Sequence, residues 1–194
     1  MTYILTVLFS VIAIIIINIL VEGIEHILSV AIMVVVSTIA VIIVDAIFAT
    51  IIRWLLPRKL FSREKRFFIA TKKESRFFEY LGIKKWKDKI LELGCFTNFR
   101  KDKILEPNNN EYLERYIVEA NYGIAVHFAC MIGGFLIFLL YREQILRVGL
   151  LICIVNFVLN FMAYASLRYN LTKLHKIYQL NERKAKRNNV DKIC

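Results

Sequence analysis

Long uninterrupted runs of apolar residues constrain this chain more than any other feature of its sequence. A helix needs about 20 apolar residues to cross a hydrocarbon core of ~30 Å, and such runs occur at about residues 3–21, 27–56, 122–140 and 148–167. Within lipid, an α-helix satisfies its own backbone hydrogen bonds. The sequence therefore predicts an all-α integral membrane bundle of four transmembrane helices, forming a single membrane domain over residues 1–194.

Lys and Arg crowd the polar parts of this chain, whose formal charge is +11. They concentrate in the segment 57–118 and in the tail 168–194, which by the positive-inside rule places both termini in the cytoplasm. The first apolar run has no basic flank and no cleavage site, so we interpret it as a retained anchor in the cell membrane. We expect the charge of the tail to fix this orientation rather than to bind nucleic acid.

The segment between the second and third apolar runs is predicted to be helical and to lie at the membrane surface. Pro57 should end the second transmembrane helix, because proline restricts the residue before it and lacks an amide hydrogen. Lys59–Arg76 mixes basic residues with paired phenylalanines, which is typical of a helix in the headgroup layer. Further on, Lys85, Trp86 and Lys87 could anchor the chain at the interface or hold phosphate groups.

Polar residues interrupt the last two apolar runs at matched positions. If the two runs form antiparallel helices joined by a turn centred at 143–144, His127 is level with Asn160 and Glu119 is level with Arg168. Glu119 and His127 share one helical stripe, because residues four apart fall on the same face. The hairpin is therefore expected to bring these four side chains together.

Asp45 interrupts the second apolar run. A carboxylate within a membrane is costly unless it faces the interior of a bundle or a wet cavity, so Asp45 is a candidate functional residue. Two alternatives remain open: a structural pair with a neighbouring helix, and a carboxyl group that stays protonated because it is removed from water.

The chemistry of these polar groups is suited to acid–base catalysis. His127 could act as general base, because imidazole titrates near neutral pH. Glu119 or Asp45 could orient the ring or stabilise its cation, Asn160 could donate to an oxyanion, and Arg168 could bind phosphate or carboxylate. The alternative is a polar zipper between two membrane helices, with the asparagines and Tyr164 hydrogen-bonded and Glu119 paired with Arg168.

The spacing of the cysteines and histidines argues against a disulfide framework, a zinc site or another cofactor. The four cysteines, Cys95, Cys130, Cys153 and Cys194, have no paired spacing, so we expect reduced, inert thiols. The sequence has neither a Gly-x-Ser-x-Gly turn nor a Gly-rich phosphate loop. If the protein transfers acyl groups, we expect direct attack by the acceptor hydroxyl, without a covalent enzyme intermediate.

Several of these residues, in this order, resemble the glycosyl-diaponeurosporenoate acyltransferases, small bacterial membrane enzymes of staphyloxanthin-type carotenoid pathways. The resemblance spans about residues 57–180. It rests on Lys85-Trp86-Lys87-x-Lys89-Ile90-Leu91, on Glu119 followed eight residues later by His127, and on Asn160 followed eight residues later by Arg168-Tyr169-Asn170. The chain departs from the family pattern in its additional N-terminal apolar helix, in Leu171 and Thr172 where an Arg-Pro pair is expected, and in Asp45.

The resemblance implies transfer of a fatty acyl group from an activated donor, acyl-CoA or a similar carrier, to a hydroxyl of a glycosylated lipid within the membrane. The acceptor is carotenoid-like or another glycolipid. The resulting catalytic candidates are His127, Glu119 and Asn160. The substrate-binding candidates are Arg168, Tyr169, Asn170, Lys85, Trp86, Lys87, Asp45 and Tyr164. The alternative function is that of a non-catalytic membrane protein that binds lipid or stabilises a complex.

Overall fold

The computed structural model describes residues 2–90, 104–139 and 148–190, and it is helical throughout, with no strand in those ranges. Its helices are α1 (Thr2–Glu22), α2 (Ile27–Thr50), α3 (Lys72–Tyr80), α4 (Ile83–Trp86), α5 (Asn110–Gly133) and α6 (Leu150–Val190). A π-helical turn at Ile51–Leu55 extends α2 to Leu55, two residues before Pro57. A 3-10 turn at Gly134–Leu139 extends α5. The predicted helix end at Pro57 is confirmed.

Three helical stretches are long and apolar enough to cross a membrane: Ile24–Leu55, Asn110–Leu139 and Leu150–Asn188. A shorter apolar helix covers Leu5–Val21. The predicted all-helical fold is thus confirmed for the described residues, and three of its helices are suited to crossing a membrane, whereas the bundle of four spans remains a prediction. The predicted turn at 143–144, together with Cys95 and Cys194, lies outside the described residues.

The described residues form two compact units. The first takes its described residues from 1–55, 89–91 and 126–162, and so contains α1, α2 and parts of α5 and α6. Its main cluster of buried apolar residues consists of Ile14, Val30, Val34, Val41, Ile137, Val148, Ile152 and Cys153. Large apolar side chains also face outward on α1 and α2, among them Phe9 at 75% and Leu28 at 72% exposure. Helices that are apolar on every face are typical of membrane spans.

The second unit takes its described residues from 56–88, 92–125 and 163–194. Within it the Phe61 ring stacks on the Tyr122 ring with centroids 3.9 Å apart. The side-chain amide of Asn121 donates to the Phe61 carbonyl at 2.8 Å. Aromatic stacking and this hydrogen bond therefore attach the turn after Pro57 to α5.

The single helix expected over Lys59–Arg76 is wrong. Two short 3-10 turns, Arg58–Phe61 and Arg66–Phe68, lie in its first part, and α3 begins only at Lys72. Thr71 has extended backbone angles and caps α3, since its hydroxyl accepts from the Glu74 amide at 3.2 Å. A capping residue with extended backbone interrupts a helix that would otherwise pass through it.

The basic tail predicted from residue 168 continues the helix of the fourth apolar run, because α6 extends unbroken to Val190. Leu171, Leu174 and Tyr178 recur at helical spacing and are buried, with at most 8% of each exposed. Such a stripe gives a helix one face to pack. The charge of this region concealed its amphipathic pattern, because the basic residues occupy the other faces.

Candidate functional site

A chain of hydrogen bonds joins α5, α6 and α2 within the first unit. Nδ1 of His127 lies 2.8 Å from Oδ1 of Asn160. The amide nitrogen of Asn160 donates to Oδ2 of Asp45 at 3.0 Å. The predicted level pairing of His127 with Asn160 is therefore confirmed, and the structure adds Asp45 from α2 to the same cluster.

The amide orientation of Asn160 fixes the tautomer of His127. Because Nδ2 of Asn160 donates to Asp45, its Oδ1 faces the ring and can only accept. Nδ1 of His127 must then carry the hydrogen. In the neutral ring the basic lone pair is therefore on Nε2, which is the atom that could accept a proton in catalysis.

Asn156 completes this network one helical turn before Asn160. Its side-chain oxygen accepts from Asn160 at 3.0 Å, and its nitrogen donates to the Cys130 carbonyl at 3.2 Å and to Oδ1 of Asp45 at 3.5 Å. A Cβ atom placed on Gly134 would lie 2.5 Å from the Asn156 nitrogen. Gly134 thus leaves the space that this amide occupies. Sequence reasoning gave Asn156 no individual role.

The amide hydrogens of Asn160 are already engaged. A side-chain amide carries two hydrogens, and the acceptors within reach are Oδ2 of Asp45, Oδ1 of Asn156 and the backbone oxygen of Asn156. Donation to an oxyanion, which the sequence suggested, would require giving up one of these bonds. The geometry favours Asn160 as the residue that positions His127.

Arg168, predicted to bind phosphate or carboxylate, lies within the second unit and is 7% exposed. Its Nε and Nη2 donate to the two carboxylate oxygens of Glu74, each at 2.6 Å, and its Nη1 donates to the Phe67 carbonyl at 2.7 Å. A bidentate pair of this kind is geometrically specific. The carboxylate that holds Arg168 in this way belongs to Glu74, not to the expected Glu119.

Sequence reasoning missed Glu74, although a signal was present. Thr71 and Glu74 form the Thr-x-x-Glu pattern of a capping box, and the Thr71 amide donates to the Glu74 side chain at 3.4 Å. Glu74 therefore caps α3 and binds α6 with the same carboxylate.

The remaining predicted site residues also belong to the second unit. Glu119 and Tyr164 are half-buried, on α5 and α6 respectively. Tyr169 donates to Glu79 at 3.0 Å, and Asn170, next to it, is half-buried. Trp86 donates from its indole nitrogen to the Leu81 carbonyl at 3.1 Å, Lys87 pairs with Asp88 at 2.8 Å, and Lys85 is exposed. These residues are assigned to the second unit, and the His127 network is assigned to the first.

Next to Lys85 and Trp86, Lys84 and Glu79 form an exposed ion pair. Nζ of Lys84 lies 2.8 Å from the carboxylate of Glu79. Hydrogen bonds from Lys84 and Tyr169 hold the pKa of Glu79 below its usual value, and the carboxylate in turn raises the pKa of Lys84. Both groups are therefore charged at neutral pH.

The sequence model of one protein family, described as glycosyl-4,4'-diaponeurosporenoate acyltransferase, matches residues 57–180, which is more than half of the chain. The chain belongs to this acyltransferase family. No curated protein and no solved structure matches it. Of the network residues, His127, Asn156 and Asn160 lie inside the family match, and Asp45 lies before it.

In this family member, the described residues hold no group of three or more His, Cys, Asp or Glu side chains that could bind a metal ion. The network itself offers the imidazole of His127, the amides of Asn156 and Asn160 and the carboxylate of Asp45. Such a set can accept and return one proton at Nε2. The two buried cysteines, Cys130 and Cys153, are unpaired thiols.

Proposed function

We propose that this protein is an acyltransferase of the cell membrane that moves a fatty acyl group from an activated donor to a hydroxyl of a glycosylated lipid. Family membership supports the acyl transfer and a glycosylated carotenoid-like acceptor. The basic segments of the chain support an orientation with both termini in the cytoplasm, where thioester donors such as acyl-CoA are available.

His127 acts as the general base in this proposal. Its Nε2 takes the proton of the acceptor hydroxyl while the hydroxyl oxygen attacks the acyl carbonyl carbon. The tetrahedral intermediate then collapses, the carbon–sulfur bond of a thioester donor breaks, and the leaving thiolate receives the proton from the imidazolium. The products are an ester and a free thiol, and no bond to the enzyme forms.

Asn160 and Asp45 position the base. The observation that carries the proposal is the 2.8 Å contact between Nδ1 of His127 and Oδ1 of Asn160, because it directs the basic nitrogen away from the network. Asp45 holds the Asn160 amide in the required orientation. A base that is oriented by a second group is the arrangement found in activated nucleophile systems. Glu119 remains a candidate for acid–base assistance, and Arg168 is proposed to act structurally.

The test is an acyl-transfer assay with purified protein in lipid, radiolabelled acyl-CoA and a membrane-lipid extract as acceptor. For His127→Ala we expect kcat/KM to fall by about 10²- to 10⁴-fold, the usual contribution of a general base. The matched control is His26→Ala, which removes an exposed histidine at Ile24–His26 and should leave activity unchanged. Equal product yields from His127→Ala and the unmodified protein would overturn the assignment of His127.

A second candidate function is that of a non-catalytic membrane protein whose polar network only joins its helices. It is favoured by the satisfied amides of Asn156 and Asn160, which is what a polar zipper requires. The same assay separates the two. If the protein forms no labelled lipid and His127→Ala lowers its thermal stability, the polar network serves only to join the helices.

A further inference from the structure

A narrow cavity of about 40 Å³ lies beside the polar network in the first unit. Its walls come from three helices and are mostly apolar, including Val7, Val11 and Ile14 from α1, Val41 from α2, and Ile152 and Val155 from α6. The α1 residues recur at helical spacing, so one face of α1 forms a continuous wall.

The polar residues of this cavity do not call for a polar ligand. Thr38 donates its hydroxyl to the Val34 carbonyl at 2.8 Å. Asn156 donates to the Cys130 carbonyl and to Asp45. Ser10 on α1 adds one further hydroxyl to the lining. A ligand that entered the cavity would therefore meet mostly hydrocarbon walls, and two of the three polar lining residues already have partners within the protein, which favours an apolar occupant.

The cavity is continuous with the proposed catalytic network through Asn156, which belongs to both. On α6 its lining extends to Leu159, the residue next to Asn160. On α2 it begins at Thr38, seven residues before Asp45, or roughly 10 Å along a helix with a rise of 1.5 Å per residue. It therefore extends away from the network along the helices.

We propose that this cavity binds the fatty acyl chain of the acyl donor, with its carbonyl end toward Asn156. The inference rests on the proposed function, since it names the occupant of a site next to the same base. A volume of about 40 Å³ corresponds to only a few water molecules, each of which needs about 10–15 Å³ measured in the same way. The small volume and mostly apolar lining favour a length of unbranched methylene chain over a sugar.

The cavity also assigns a role to helices that lie outside the family match. Val11 on α1 and Val41 on α2 precede residue 57, where the matched residues begin. The selectivity for acyl-chain length would therefore depend on the N-terminal helices of this chain, whereas the proposed base belongs to the matched segment.

The test fills the cavity and measures chain-length selectivity. Val11→Phe should reduce kcat/KM for hexadecanoyl-CoA relative to octanoyl-CoA, by about fourfold for each methylene that is excluded from apolar contact. Ile12→Phe is the matched control, because Ile12 neighbours Val11 but is 54% exposed and does not line the cavity. It should leave the ratio unchanged.

Val11→Ala widens the same position and should shift selectivity toward longer chains. If neither substitution changes the donor ratio, or if both lower activity equally for every chain length, the cavity does not bind the donor chain. If Val11→Phe alters selectivity among acceptor lipids instead, the occupant is the acceptor and the proposal is overturned.

A binding measurement separates this proposal from the proposed function. A hexadecanoyl-CoA probe with a photoactivatable diazirine at the end of its chain should label α1 or α2 peptides, less so in Val11→Phe and unchanged in Ile12→Phe. Such labelling in a protein that transfers no acyl group would support the cavity and reject the catalysis. Catalysis that depends on His127, without labelling of α1, α2 or α6, would support the proposed catalysis and reject the proposed binding of the donor chain in the cavity.

Discussion

Asn160 is the residue on which the proposed site depends most directly, since it connects the imidazole of His127 to the carboxylate of Asp45. We expect Asn160→Leu, which keeps the branched shape of the side chain and removes its bonds to His127 and Asp45, to lower kcat by about 10²-fold because the ring is no longer held in position. The KM for the acyl donor should not change. Steady-state kinetics in lipid nanodiscs would measure both values.

Asn18→Leu is the matched control for this substitution. Asn18 is also buried in an apolar helix, and its amide donates to the Ile14 carbonyl of the same helix at 2.8 Å. It should leave kcat unchanged. If Asn160→Leu instead lowered thermal stability while the folded protein kept full kcat, Asn160 would be structural and would not position the base.

At the residue scale, the sequence allowed one of the two contacts of Asn160 to be predicted, the one with His127. Counting residues from the expected turn was enough to pair His127 with Asn160, because the two helices are consecutive in the chain. The contact between Asp45 and Asn160 could not be predicted in that way. Asp45 indicates which face of α2 turns away from lipid, but a single polar residue does not indicate which side chain of a neighbouring helix it meets.

Among the helical elements, α3 is held to α6 by the Glu74–Arg168 pair. The Arg168 side chain is 8% exposed and that of Glu74 is 21% exposed. We expect Glu74→Gln to lower the free energy of unfolding by about 3 kcal/mol, because it leaves a buried guanidinium without its counter-charge. Chemical denaturation in detergent, followed by tryptophan fluorescence, would measure the change.

Glu79→Gln is a control on the same short helix, since Glu79 is exposed and pairs with Lys84. It should affect stability little, because exposed ion pairs contribute little. If Glu74→Gln proved as stable as Glu79→Gln but specifically raised the KM for the acyl donor, Arg168 would bind substrate, as the sequence first suggested.

The elements around α3 also show why their boundaries were misjudged. Basic and aromatic residues in Lys59–Arg76 have the composition of an interfacial helix, but the backbone is extended at Ser62 and Thr71. Composition averages over such local interruptions. The capping pattern of Thr71 and Glu74 was the more specific signal, and it indicates a helix start within the segment.

For the whole molecule, the open question is whether the first apolar helix crosses the membrane. Leu5–Val21 is shorter than the three helical stretches that are long and apolar enough to cross a membrane. We expect four spans, so reporters fused before Met1 and after Cys194 should both be cytoplasmic. Fluorescence and alkaline phosphatase fusions at each end would give complementary readouts.

A fusion within the predicted turn at 141–147 is the control. With the C-terminal tail in the cytoplasm, this turn should be extracytoplasmic whether the chain makes three spans or four. Reporters on opposite sides for the two termini would mean that three helices span. The wall that α1 gives to the cavity would then belong to a helix lying at the membrane surface.

The hydrogen bonds between His127 and Asp45 all point in one direction. The ring N–H points to the Asn160 oxygen, and the Asn160 N–H points to the carboxylate. Their dipoles are therefore aligned, with the positive ends toward the Asp45 carboxylate, and each polarises the next. When the imidazole gains a proton, this alignment lets the ring share its positive charge with a carboxylate that it does not touch. An inverted Asn160 amide would abolish that advantage without moving a single helix.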